Sequence, residues 1–395
     1  MTSRFLENLT LRTLIAPVAE EEFRARYWEQ KPLIVERGDP DYYGDLFTLQ
    51  DFDEAIMRGP NYVKLANAAT KKNTSYKSES APGLEAVLAD MRDGGTLVLD
   101  QVQQRDPKLG LLCRLFAQEL GHRSQANLYL TPPNGKGFTP HWDNHDVFIL
   151  QVVGSKHWQI EKERRVFPQK LETMGDVGRE LRGETYSFTL NQGDIIYIPR
   201  GFVHAAECGS EPSLHITLGV TAIFLEDLLY ATIKAALQRD ERLRVALPLG
   251  FMHGDRKDVV SRAAAVLRQV ADETFLSAVV EQFRDEAVKS FPLDVSGQVV
   301  DFFKPTPLTA EDIVGPRRGI VYTVHPAEDT VRLNFGARSI VFVGIFREAL
   351  DFALNTSTFA IRELPGELED EERLVFIERL MLEGLVVHKK ERKQA

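Results

Sequence analysis

The sequence predicts a mainly α+β, multidomain protein: a double-sheet jelly-roll barrel within residues 1–224, a helical segment over 225–305 and a small winged-helix-like module over 306–395. Three observations carry this. From residue 124 to about 223, short apolar runs are separated by Gly, Pro and Asn turns, the pattern of a closed all-β architecture. After Phe224 the turn signals thin out and apolar residues recur at helical spacing. Pro305 and Pro307 mark a boundary, beyond which strand-like runs lead into a helix, turn, helix, strand pattern.

Taken in order, residues 19–30 read as a charged helix with Phe23 and Tyr27 on one face, ended by Lys31-Pro32 before the strand-like Leu33-Ile34-Val35. Residues 50–57 and 83–93 suit short amphipathic helices, followed by a strand at 96–100. Pro107 opens a helix through Leu120, which Gly121 ends. The barrel strands are expected at 124–131, 146–153, 156–161, 185–190, 194–198 and 213–223, with Gly154-Ser155 as a turn between the second and third. Helices follow at 226–237, 259–271 and 275–283. In the last module, 320–324, 331–335 and 339–343 have strand character and 346–354 and 370–382 helical character. Gly384 is a stop before Leu385-Val386-Val387.

Bulk properties narrow the function. A formal charge of −10 over 395 residues argues against a general nucleic-acid binder and suits a basic protein partner. Residues 363–372 carry six acidic groups and no Lys or Arg, a surface that repels phosphates, so no DNA binding is expected of the last module. The run His388-Lys389-Lys390-Glu391-Arg392-Lys393 reads as a solvated terminus. Cys113 and Cys208 form no C-x-x-C pair, as expected in a reducing compartment without structural zinc. No apolar run is long enough to span a membrane, and MTSRFLENLT lacks the features of a secretory signal. The expectation is a soluble cytoplasmic protein.

The chemistry gathers between Thr131 and His204. On a β-strand, residues i and i+2 share a face, so His141 and Asp143 can converge while Trp142 points away. An H-x-D pair alone is a weak signal. The later run Gly193-Asp194, Ile195-Ile196-Tyr197-Ile198, Pro199-x-Gly201-x-x-His204 is stronger, since turn residues on both sides of an apolar strand deliver a second imidazole. Two imidazoles and one carboxylate leave three coordination positions open, which suits non-haem Fe(II) that activates O2. With that set complete, His145, His157 and His215 are read as non-ligands, and Cys208 as a fourth ligand is rejected. Lys156 follows His141 by fifteen residues. It can enter the barrel and meet a carboxylate of a bound dicarboxylate, or stand solvated at a hairpin turn; position alone does not choose.

On these residues the chain resembles the JmjC-type 2-oxoglutarate oxygenases, and within them the ribosomal-oxygenase family. The resemblance lies in Asn127-Leu128-Tyr129, His141-Trp142-Asp143, Lys156 and His204 in that order, and extends to Trp28–Leu33 (WEQKPL) and 362–366 (RELPG). It implies a cupin-type barrel, Fe(II) held by His141, Asp143 and His204, 2-oxoglutarate as cosubstrate and O2 as oxidant. Lys156 would take the distal carboxylate. Tyr129 and Thr217 would each offer a hydrogen bond in the same pocket, or else pack the barrel with satisfied hydroxyls. Asn127 and Tyr129 would contact the substrate side chain. The implied outcome is succinate, carbon dioxide and a hydroxylated Arg or His of a basic ribosomal protein, with residues 225–305 forming a homodimer. Val98 and Gly219 stand where histidine-hydroxylating relatives carry Arg or Gln and Ser, so the substrate residue is left open. Hydroxylation of another peptide or biosynthetic precursor, demethylation of a methylated side chain, and a non-catalytic cupin-like binding role also remain open. Succinate separates the first two from the last, and formaldehyde marks demethylation.

Overall fold

Alternating apolar residues build a ten-stranded sheet in the computed structural model, which describes residues 3–58, 62–67, 72–77, 88–89, 91–170, 172, 180–254, 256–270, 272–303 and 307–389. The strands are β1 Leu33–Val35, β2 Tyr62–Asn67, β3 Lys72–Lys77, β4 Thr96–Leu99, β5 Arg123–Thr131, β6 Asp146–Glu161, β7 Thr185–Asn191, β8 Ile195–Ile198, β9 His204–Glu207 and β10 Ser213–Thr221. Their order is β1-β8-β6-β10-β5-β4-β2-β3, with β7 and β9 both paired to β6. All belong to a unit spanning residues 1–222.

β6 organises the unit. Its first half pairs with β8 and β10, and its second half with β7 and β9. The two expected strands 146–153 and 156–161 are therefore one, and Gly154 is not a hairpin turn. Gly154 instead has φ +65°, and the β6–β10 register shifts between Leu214 and His215. That irregularity re-phases the strand. Val147 and Ile149 face inward before it, whereas Lys156 and Trp158 face inward after it. A one-residue shift moves side chains to the opposite face, so the bulge turns Lys156 inward.

The other face of the sheet packs on helices. Leu128, Phe148, Leu150, Ile216 and Leu218 bury against Leu14, Phe23, Leu112 and Phe116 in one apolar cluster. Each such side chain contributes roughly 1.5–3 kcal/mol when fully buried. The helix Pro107–Leu120 forms as its sequence dictates: Asp106 accepts from Leu109 N–H, Pro107 opens the first turn, and Gly121 closes it at φ +69°. The expected helix 19–30 is shorter, Glu20–Arg26, because the chain leaves the helix before Lys31-Pro32. The expected helix 83–93 falls largely outside the described residues. β2 and β3 were not expected, whereas β9 begins at His204, where the sequence places the start of a strand.

Residues 223–395 form the second unit. The helices Leu225–Arg239, Lys257–Val270, Glu273–Val288 and Gln298–Phe303 come first. Two three-stranded sheets and the helices Arg347–Asn355 and Asp370–Leu382 follow, around a core that includes Leu333, Phe335, Leu350 and Ile377. Asp285, on Glu273–Val288, accepts from Thr323 Oγ1 and His325 at 2.6 Å each, which joins the helices to the strands that follow them.

Candidate metal centre and adjoining pocket

His141, Asp143 and His204 come together with one donor atom each, all within 4.8 Å of one another. The route differs from the expected one. The H-x-D segment is not inside a strand; it is extended chain entering β6, and only His141 makes a β-bridge, to His204. Two backbone hydrogen bonds close that bridge: His141 N–H to the His204 carbonyl at 3.1 Å and His204 N–H to the His141 carbonyl at 2.8 Å. Trp142, between the two, is buried.

Both imidazoles have a defined tautomer. Nδ1 of His141 faces the Thr139 carbonyl at 2.9 Å and Nδ1 of His204 faces the Phe202 carbonyl at 3.0 Å. A carbonyl only accepts, so each Nδ1 carries the proton and each Nε2 presents its lone pair. His204 Nε2 lies 3.7 Å from Asp143 Oδ2. Burial, with the neighbouring His141, pushes the His204 pKa down to about 4. Burial alone would raise the Asp143 pKa, but His141, His204 and His145 outweigh it and hold the carboxyl below its ordinary range. The result is two imidazole Nε2 donors and one carboxylate, with outer partners already orienting the rings. That donor set fits Fe(II).

A cavity of about 190 Å³ opens beside these three residues, lined among others by Thr96, Tyr129, Phe138, Val147, Ile149, Lys156, Trp158, His215 and Thr217. Lys156 is not solvated: it is 4% exposed, and its Nζ donates to Thr131 Oγ1 at 2.9 Å. Thr131 in turn shares a hydrogen bond of 2.8 Å with Thr96. Burial lowers the Lys156 pKa to about 8. Tyr129 lines the same cavity and stacks on His215 at 4.8 Å, and burial pushes its phenol pKa up. Thr217 lines it from β10. Asn127 does not: its Oδ1 accepts the Gln101 N–H at 2.8 Å.

His145 stands outside the donor cluster, with Nδ1 3.1 Å from Asn144 Oδ1. Its ring fills the space above Gly219, where a Cβ would fall 2.8 Å from His145 Cδ2. A serine at that position would require His145 to move. His157 turns to Ser187, and Cys208 Sγ lies 3.9 Å from the Thr131 carbonyl, neither in the cluster. Trp158 and His215 line the cavity and Thr131 anchors Lys156, three contributions that the motifs alone do not single out. Period-two alternation from Tyr129, Lys156 and Thr217 points to each of them.

Residues 99–228 match the family described as the JmjC domain. This segment of the chain is a JmjC domain. The chain is 34% identical over 300 residues to Ribosomal oxygenase 1 of Gallus gallus, covering 71% of this chain and 50% of that protein. Ribosomal oxygenase 2 of Bos taurus is 27% identical over 357 residues, covering 86% of this chain and 74% of the relative. The chain thus spans about half the length of the Ribosomal oxygenase 1 proteins it matches. Among solved structures, Escherichia coli ycfD superposes with a TM-score of 0.59 at 19% identity, covering 94% of this chain and 99% of that one. A structure of the same bacterial protein, a ribosomal oxygenase in complex with cobalt and 2-oxoglutarate, gives 0.56 at 18%, covering 95% and 99%. At these identities the structural likeness establishes the fold, which is of the cupin type. The JmjC family depends on Fe(II) and 2-oxoglutarate.

Proposed function

We propose that this chain is an Fe(II)- and 2-oxoglutarate-dependent oxygenase that hydroxylates a side chain, Arg or His, of a ribosomal protein. One observation carries the reading: a two-His, one-carboxylate donor set and a buried lysine border the same cavity. A dicarboxylate that chelates metal at one end leaves its other carboxylate in an apolar barrel, where an unpaired charge is costly. Lys156 meets that need. His141, Asp143 and His204 would hold the metal, which supplies oxygen activation coupled to decarboxylation of the cosubstrate.

The protein's own part is orientation and exclusion of water. The Thr139 and Phe202 carbonyls fix the imidazoles, and Thr131 holds the Lys156 ammonium in place. Val147, Ile149 and Trp158 provide apolar wall, while Tyr129 and Thr217 supply hydroxyl groups. Tyr129 and Asn127 are the proposed substrate contacts, Asn127 through its amide NH2, since its oxygen is engaged by Gln101. The ribosomal substrate rests on the names of the relatives.

The proposal extends to the second unit. Residues 225–305 are read as a homodimerisation segment and 306–395 as a winged-helix-like module that serves protein contact rather than nucleic-acid binding. The acidic start of Asp370–Leu382 supports the latter. Cytoplasmic residence fits the two unpaired, buried cysteines. No helix among the described residues is long and apolar enough to cross a membrane.

The test is turnover of 2-oxoglutarate by the purified Fe(II) protein with ribosomal proteins as substrate, read as succinate and as a mass gain of one oxygen. Asp143→Ala should abolish both. Wild-type succinate formation by that variant would refute the ligand assignment, and formaldehyde release would redirect the reading to demethylation.

A further inference from the structure

Behind the donor cluster lies a buried charge network that the proposed chemistry does not use. Asp146 is fully buried and sits three residues after Asp143; Arg200 is 4% exposed and sits four residues before His204. Arg200 Nη1 donates to Asp146 Oδ2 at 3.0 Å, and Arg200 N–H donates to Asp146 Oδ1 at 3.2 Å. Tyr197 Oη adds a third donation, to Oδ1, at 3.1 Å. The carboxylate thus ties the start of β6 to the turn that leads from β8 to His204.

The place of this tie matters. The β6–β8 ladder ends at Val147 and Ile198, so beyond it the two ligand-bearing segments leave regular sheet. They meet again through Gly201 N–H to the Asp143 carbonyl at 2.9 Å and the His141–His204 bridge. Between ladder and bridge, the Asp146–Arg200 pair sets how closely they approach.

An N-terminal segment completes the network, and it gives the Trp28–Leu33 motif a role. Glu29 pairs with Arg200 through its carboxylate and donates its backbone N–H to Tyr197 Oη at 2.8 Å. Its own carbonyl accepts from Arg164. Trp28 stacks on Tyr197 at 5.9 Å with an interplanar angle of 14°. Glu29 holds φ +56°, a left-handed conformation uncommon for a residue with a side chain.

We propose that the Asp146–Arg200 pair, completed by Glu29, is the positioning device of the metal centre: it fixes the approach of the His204 segment to the His141–Asp143 segment. The inference rests on the ligand assignment made above. Outer partners of metal ligands shift affinity by about 10–100-fold when removed, and this pair acts one step further out, through the backbone of both segments.

Co(II) binding, followed by its visible absorption, tests this without turnover. Asp146→Asn and Arg200→Met should each weaken Co(II) by roughly tenfold or more and alter the absorption envelope. Arg200→Lys should recover most of the affinity, because a single nitrogen, Nη1, meets both Asp146 and Glu29. Leu14→Ala, in the apolar core on the helix side of the sheet, is the control for destabilisation alone. Wild-type affinity and spectrum in Asp146→Asn overturn the proposal, as does an equal loss in a Leu14→Ala protein of matched stability. Should Asp146→Asn fail to fold, Glu29→Gln removes only the outer arm. It should still weaken Co(II) a few-fold, and unchanged affinity there is equally fatal. Failure of the ligand assignment looks different: Asp143→Ala would then bind Co(II) as the wild type does.

Discussion

At the scale of single residues, Lys156 shows how burial converts an ordinary side chain into a recognition element. A solvated lysine would be charged at any working pH, but burial brings this one down to about 8. The ammonium is kept by one hydroxyl, Thr131 Oγ1, and has donors to spare for a carboxylate. Lys156→Ala should weaken 2-oxoglutarate binding to the anaerobic Fe(II) protein by roughly 3–5 kcal/mol, less whatever water recovers in the enlarged pocket. Iron affinity should hold, since the donor cluster is untouched. The sign of the pH dependence follows from the lowered pKa. Below about 8 the cation is present before the ligand arrives. Above it, binding must draw in a proton, so affinity falls as pH rises, by up to about tenfold per unit. Calorimetric titration of the wild type on both sides of that value checks the sign. Affinity that stays flat in the wild type, or that is unchanged in Lys156→Ala, places the distal carboxylate elsewhere.

At the scale of elements, the sequence was legible where local chemistry decides and misleading where a single irregularity does. The helix Pro107–Leu120 has its cap, its proline and its terminal glycine in the residues themselves, and it forms with those bounds. The donor set was legible too, because turn residues bracket Ile195–Ile198 and deliver His204. Gly154 was not. A glycine beside a serine between two apolar runs reads as a hairpin turn, whereas the chain runs straight through it as one strand. What makes the glycine necessary is long-range: a Cβ there would lie 2.0 Å from the Pro212 carbonyl oxygen. No local pattern reveals that contact. Glycine admits the positive φ at that contact, two residues after Val152, the unpaired residue at which β6 changes phase so that Lys156 faces inward. Gly154→Ala should therefore lower stability by roughly 1–3 kcal/mol from backbone strain and weaken 2-oxoglutarate binding by displacing Lys156. Urea unfolding and ligand titration read the two effects separately. A variant with wild-type values in both would mean that the strand can keep its phase without the glycine.

At the scale of the whole molecule, the feature that asks for an explanation is apolar surface left open in the second unit. Leu225, Leu229, Tyr230, Ile233 and Leu237 are all exposed on the single helix Leu225–Arg239. Spacings of three and four residues put most of them on one stripe, which in an isolated globular chain would face a core. Val260 and Leu267 on Lys257–Val270 are exposed as well, and Leu247, Leu249, Phe251 and Met252 on the connection between these helices add to the apolar surface. Scattered apolar residues need no account, but contiguous apolar surface of several hundred Å² marks a contact. A formal charge of −10 opposes self-association at long range, so the contact has to draw its strength from apolar burial at close range. A stable interface removes at least about 1,000 Å² in total from water, and a stripe repeated on two chains is suited to supply it by twofold self-pairing. The expected outcome is a dimer by light scattering at micromolar concentration. Ile233→Glu, which sets a charge in the middle of the stripe, should shift it to monomer while leaving the helical circular dichroism signal in place. A wild-type monomer would remove residues 225–305 as a dimer interface, and a dimer that survives both Ile233→Glu and Leu229→Glu would move the contact to another face.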